Sequence, residues 1–499
     1  MEFSHTQNLA LAEIPVLPLP AFRQRVLDRV ADGWRVMALF GLPGEHGVGL
    51  VALTGRDHDG RLAVWRTGPL SAYPSLTPEC PQCHMFEREL FEQWEIRPEG
   101  HPWLKPVRFA PSFVHPDAPR PAPGVTEQFR VRGEEVHEVA VGPVHAGIIE
   151  PGHFRFQCYG ENVMHLEISL GYQHRGVERL LMGGPDRRTP HLMETVAGDT
   201  SIGHSLAHAA VMESLTGAPA APRGRWMARL ALELERLANH TGDLGAFAGD
   251  VGYLPTMSYC GRIRGDFLNM TALLCGNRFG RGLVRPGGAL FNLDDATRDA
   301  LAARLEAGRR AAFGACELLF VSSTALARFE GTGTLDATQA LELGLVGPPA
   351  RACGLPRDAR RTFPLPGTSP RDIPLSLHDF GDVYARGLVR RLEMETSLDF
   401  LDAALADPPD GPIRHAMPAT LPPDRLAVGL VEGWRGELRH VAVTGPDGRF
   451  AAYKIIDPSF HNWFGLAVAL RGQQVSDFPL CNKRSEEHTS ELQSRSDLV

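Results

Sequence analysis

The densest run of chemically capable side chains is Gly142-Pro143-Val144-His145-Ala146-Gly147-Ile148-Ile149-Glu150-Pro151-Gly152-His153-Phe154-Arg155. A carboxyl, two imidazoles and a guanidinium sit among glycines and prolines, and glycine lets a backbone approach another group closely. Glu150 can relay protons, His145 and His153 can donate to a carbonyl oxygen, and Arg155 can fix an anion. A surface turn with incidental polar residues fits the same composition. A second run, His165-Leu166-Glu167 and then Gly171-Tyr172-Gln173-His174-Arg175-Gly176-Val177-Glu178, leads into a helical region and reads equally as solvated chain. Arg435-Gly436-Glu437, after Gly433-Trp434, says little by itself. Cys80-Pro81-Gln82-Cys83-His84 has the form of a c-type haem attachment site and of half a zinc site. It has no second ligand pair, and haem attachment belongs to exported proteins, so it is read as the opening of a helix. Neither GxGxxG nor GxxxxGKS/T occurs, so the chain shows no nucleotide cradle of its own. GxSxG and HExxH are also absent.

Local patterns indicate which elements must position these groups. Residues 1–108 read as a small α/β unit. It has a helix over Ala21–Ala31 and strands over Trp34–Phe40, Val48–Thr54 and Leu62–Thr67, with an amphipathic helix within 79–94. Five prolines between Pro111 and Pro123 cannot sit in a helix or a central strand, so residues 109–133 form a linker. Alternation from Arg130 to about Ser169 predicts a small antiparallel sheet. From Gly176 to about Ala404 the chain is mainly helical. Trp226, Leu230, Leu234 and Leu237 recur at steps of four and three as a core-facing stripe. A second proline-rich stretch, Pro408 to Pro423, ends the helical part, and Pro446-Asp447-Gly448 then turns a hairpin. The fold class is therefore α+β.

The chain has 499 residues and a net charge of −8, with 43% apolar residues and 22% charged. That balance excludes a disordered or fibrous protein. It offers no basic footprint for nucleic acid. No apolar run reaches the roughly 18 residues a membrane span needs. The first twenty residues lack a basic n-region and cleavage signature, so a cytoplasmic location is expected. Eight isolated cysteines do not make a disulfide framework. Residues 484–499 are set aside, because RSEEHTSELQS reads as a translated sequencing adapter.

GPVHAGIIEPGHFRF, followed by HLEISLGYQHRGVERLL, resembles the large subunit of group 4 membrane-bound nickel–iron hydrogenases of the formate hydrogenlyase and hydrogenase-4 type. More distantly it is similar to the large quinone-site subunit of respiratory complex I. The likeness runs on, in order and spacing, through GRWMARLALELERLANHTGDLGAF, VEGWRGELRHVAVTG and RGQQVSDFPLCNK, and covers residues 134–483. Upstream, FERELFEQWEIRPEGHPWLKPVRF resembles the small complex I subunit that precedes the large one.

The resemblance implies a hydrogenase large-subunit fold, with a small β-sheet and a mainly α-helical body. It implies a peripheral position on the inner face of the cell membrane, beside an iron–sulfur small subunit and on antiporter-like membrane subunits. Carried over residue by residue, Glu150 matches the proton-relay glutamate. His153 matches the following histidine, which in complex I reaches the quinone headgroup. Arg435 matches the arginine that flanks the metal in hydrogenases. His145, Glu150, His153, Arg155 and Arg435 would then line one quinone cavity.

One departure from the pattern matters most. Ala197 and Thr200 stand where the hydrogenases carry a Cys-x-x-Cys. Nickel in that site needs soft thiolates, which a methyl and a hydroxyl cannot replace. No nickel is therefore expected. The tyrosine that donates to quinone in complex I is missing too, with Ile202 near its position. The expected role is a subunit that passes electrons from its iron–sulfur partner to a quinone-like acceptor, coupled to ion translocation. No tightly bound cofactor is expected in this chain, and any NAD would bind a separate flavin subunit. A redox-inactive scaffold and a true nickel–iron hydrogenase are the alternative readings.

Overall fold

The computed structural model describes residues 1–119, 122–144 and 151–482. Near the N-terminus, helix Leu19–Ala31 buries Phe22 and Val26, four residues apart on one face. It packs on an antiparallel sheet of Glu2–Ser4, Arg61–Pro69, Gly47–Arg56 and Arg35–Gly44, in that order. Residues 35–42 are buried consecutively rather than alternately. Strands of that kind need cover on both faces. The second cover comes from the other end of the chain. Leu430, Val441 and Ile456 share one hydrophobic core with Trp65 and Phe86. Leu9–Ala10 is itself the edge strand of the C-terminal sheet, pairing with Leu426 and Arg425. The expected elements of residues 1–108 are present, and their core runs on into the C-terminal sheet.

The haem-like motif opens a helix. Pro81–Cys83 is a single 3₁₀ turn that feeds helix His84–Trp94. His84 stacks on Phe464 with ring centroids 4.8 Å apart. The described part of the proline-rich linker has no helix or strand. Its start is nevertheless fastened, since the Glu92 carboxylate accepts the Ala110 N–H and the Gln93 carbonyl accepts the Phe113 N–H.

The expected antiparallel sheet has the order Asn162–Ser169, His153–Tyr159, Val136–Val141. The helical body follows, chiefly Ser201–Thr216, Pro222–Asp250, Leu254–Cys275, Asp295–Phe320 and Val383–Ala406. Helix Pro222–Asp250 buries the predicted stripe and most of its other faces as well, including Glu233, Glu235, Arg236, Asn239 and His240. A helix buried all round lies at the centre of the body. The C-terminal hairpin joins Glu437–Thr444 to Phe450–Ile456 and extends to Arg425–Glu432. Among the described residues no single helix is long and apolar enough to cross a bilayer. The adapter-like tail lies outside the described residues.

Candidate active site

A cavity of about 210 Å³ opens between the N-terminal elements and the helical body. Met85, Val107 and Arg108 wall one side, and Phe154 and Trp463 supply apolar surface. At its polar end are Ala197, Gly198, Asp199, Arg435 and Asp457. Strands Arg425–Glu432 and Glu437–Thr444 pair up to Glu432 and Glu437, and the turn between them is closed by reciprocal backbone bonds of Gly433 and Gly436. That turn carries Trp434 and Arg435 at its tip. Gly347 allows a close approach here: its φ is +68°, and a Cβ there would collide with the Arg435 carbonyl.

Arg435 is 4% exposed and held on two sides. It donates to Asp199 Oδ1 at 2.6 Å, to Thr200 Oγ1 at 3.1 Å and to Asp457 Oδ2 at 3.1 Å. Its guanidinium also lies 4.8 Å from the Trp434 ring centroid. The Trp434 indole N–H donates to the Asp199 carbonyl and to Thr200 Oγ1. Burial alone would raise the Asp457 carboxyl, but Arg435 and His204 outweigh it and hold the group well below the usual carboxylate range. Just beneath, Glu235 accepts the Ile202 N–H at 2.8 Å and the Gly203 N–H at 3.3 Å. Burial pushes its carboxyl up to about 8, against those two donors.

Of the residues picked out by sequence, the structure brings Arg435 to the cavity, together with Gly171 to Arg175, Val177 and Glu178 of the second run. Pro151, Gly152 and Phe154 also line it, whereas His153 and Arg155 do not. The pleat explains the difference. Successive residues of strand His153–Tyr159 point to opposite faces, and the inward face carries Phe154 and Phe156. Arg155 instead reaches Glu138 on the neighbouring strand at 3.2 Å. His145 and Glu150 lie outside the described residues.

Residues 250–430 match the family model described as the respiratory-chain NADH dehydrogenase 49 kDa subunit. The chain is 30% identical over 345 residues to the carbon monoxide-induced hydrogenase of Rhodospirillum rubrum, covering 69% of this chain and 95% of that one. It is 31% identical to formate hydrogenlyase subunit 5 of Escherichia coli K12, over 82% of this chain and 74% of that one. This chain belongs to the group 4 hydrogenase and complex I large-subunit family. Among solved structures, the membrane-bound sulfane sulfur reductase, an archaeal respiratory membrane complex, shares the fold with a TM-score of 0.63. That likeness is at 23% identity and covers 71% of this chain and 97% of that one.

The hydrogenases of this family imply nickel, and the residues present do not fit it. Thr200 Oγ1 is already saturated: it accepts from Trp434 and Arg435 and donates to Asp199 at 3.0 Å. A hydroxyl has one proton and two lone pairs to offer, and all are used. Ala197 offers a methyl group. No cysteine is among the residues lining the cavity. Among the described residues, no group of three or more His, Cys, Asp or Glu could hold a metal ion.

Sequence reasoning missed Asp199 and Asp457, which bracket Arg435, and His204, which meets Asp457. Asp199 lay inside the motif examined for thiolates and could have been read as the partner of a nearby cation. Asp457 is 22 positions beyond Arg435, and only the strand register brings them together.

Proposed function

We propose that this chain is the acceptor-site subunit of a membrane-associated oxidoreductase complex. It receives electrons from an iron–sulfur partner and passes them to a quinone-like acceptor, and antiporter-like membrane subunits couple the reaction to ion translocation. The observation that carries this reading is the cavity, with an apolar wall at one end and a buried arginine between two carboxylates at the other. An aromatic ring with two carbonyl oxygens matches such a site, since apolar walls hold the ring and a fixed cation stabilises the oxygen that becomes negative on reduction. Ala197 and Thr200 at the two expected cysteine positions favour an organic acceptor over a metal-bound hydride. On this reading the proton-relay role of Glu150 rests on the motif alone. His153, on the far face of its strand, is a less direct partner for the headgroup than Arg435.

The test is reduction of a short-chain quinone analogue by the purified complex, with an Arg435→Lys variant alongside. Lysine keeps the charge but loses the fork that spans Asp199 and Asp457. Turnover is expected to fall about 10²-fold in the assembled variant. Wild-type turnover in Arg435→Lys would contradict the reading. A scaffold without redox chemistry would show no quinone reduction sensitive to this residue at all.

A further inference from the structure

A line of polar side chains runs from Asp457 at the cavity into the protein interior. His204 Nε2 lies 3.2 Å from Asp457 Oδ2, and His204 Nδ1 lies 3.0 Å from His440 Nε2. His440 Nδ1 is 3.0 Å from the Tyr453 hydroxyl, which is in turn 2.9 Å from His208 Nδ1. All four side chains are at most 4% exposed. They come from two elements that pack face to face. His204 and His208 sit four apart on helix Ser201–Thr216, and His440 and Tyr453 lie on adjacent strands of the C-terminal sheet.

With the three imidazoles neutral, the hydrogen-bond roles follow in sequence. The Asp457 carboxylate can only accept, so His204 Nε2 donates to it. His204 Nδ1 then accepts from His440 Nε2. His440 Nδ1 accepts the Tyr453 proton, and the Tyr453 oxygen accepts from His208 Nδ1. Every donor therefore points towards Asp457, as a directional proton chain requires. Burial favours the uncharged form of three of these groups: it drives His208 down to about 3, lowers His440 far below the usual histidine range with help from His204 and His208, and raises the Tyr453 hydroxyl.

We propose that His208, Tyr453, His440 and His204 relay protons to Asp457, and that Asp457 hands them to the reduced acceptor. The proposal rests on the acceptor reading given above. The quinone-like acceptor takes its two electrons from the iron–sulfur partner. The Asp457 carboxylate takes the His204 Nε2 proton and releases it to the anionic oxygen of the acceptor, so that Asp457 ends the pass as the carboxylate it began as. His204 Nδ1 takes the proton on His440 Nε2, His440 Nδ1 takes the Tyr453 proton, and the Tyr453 oxygen takes the one on His208 Nδ1. His208 Nε2 is replenished from water. Each pass moves one proton and no electrons, and two passes complete the hydroquinone. Between passes, tautomer exchange and rotation of the Tyr453 hydroxyl restore the starting polarity. A carboxyl that Arg435 holds strongly acidic passes its proton on rather than keeping it.

The experiment uses the purified complex with a reduced viologen as donor and two acceptors: a short-chain quinone analogue, which takes up protons, and ferricyanide, which takes up none. Tyr453→Phe removes one hydroxyl and keeps the ring; His440→Gln is the second variant. In both, the quinone kcat is expected to fall about 10²-fold at unchanged KM with a larger solvent deuterium isotope effect, while ferricyanide turnover stays at the wild-type rate. If both acceptors slow together, the chain is structural and the relay is overturned. If both variants reduce quinone at the wild-type rate, the relay is overturned and the acceptor reading stands. If the wild-type complex reduces ferricyanide but no quinone, the acceptor reading falls and takes the relay with it.

Discussion

Two buried residues carry most of the electrostatics of the site. Arg435 sits between Asp199 and Asp457, and truncating it would leave two carboxylates facing each other in a partly dry cavity. Breaking a buried pair in that way costs about 3–5 kcal/mol. For this reason lysine rather than alanine is the informative replacement. Glu235 behaves oppositely, because burial outweighs its two backbone donors and the pull of Arg435. Its carboxyl stands near 4.5 in the unfolded chain and is pushed up to about 8 by burial in the fold. Between those values the folded protein keeps a proton that the unfolded chain has released. Stability therefore falls as pH rises from about 4.5 to about 8 and levels off above that. Glu235→Gln is expected to remove this component, gaining on the wild type by a few kcal/mol between pH 5 and pH 8. Denaturant titrations at several pH values check it, and parallel stability curves for the two proteins would refute the assignment.

At the scale of elements, the site depends on helix Ser201–Thr216 lying tightly against the C-terminal sheet. Gly429 permits that approach, since a Cβ there would collide with the Ala207 carbonyl and stand 2.9 Å from Val211 Cγ2. Backbone cannot swing aside as a long side chain can. Gly429→Ala is expected to cost about 1–3 kcal/mol in thermal or chemical unfolding. It is also expected to slow quinone turnover by shifting His204 away from His440. Unchanged stability would mean that helix and sheet are less closely packed. The same elements show how far sequence reading reaches. The helical stretches Asp266 to Cys275, Asp295 to Leu318 and Val383 to Leu405 and the strands around Pro446-Asp447-Gly448 were legible from periodicity and turn residues, whereas the first twelve residues of helix Leu254–Cys275 were not. His204 and His208, four apart on one helix, were not singled out. Nor were their partners His440 and Tyr453, because cross-element pairing depends on a packing register that no local pattern encodes. The polar residues of helix Pro222–Asp250 were obscured for a related reason. They are buried against one another, as where His240 Nε2 meets Glu393 at 2.7 Å, and a hydrophobic stripe says nothing about the opposite face.

Over the whole molecule, the cavity lies where the two ends of the chain meet. Lys454 on the C-terminal sheet pairs with Glu89 of helix His84–Trp94 and with Glu178 at 2.9 Å, which ties the N-terminal elements to the body beside the cavity. The resemblance in the sequence reached the family and its expected fold. It singled out Arg435, which lines the cavity, but could not show that His153 faces away from it, because strand pleat and side-chain direction were unknown. The account depends on the pocket being a site for an organic acceptor and not for nickel. The most direct check is the nickel content of the purified complex while it is competent in quinone reduction. The expected result is a nickel content far below one atom per chain in fully active material, and a content near one atom per chain that rises and falls with activity would contradict the account.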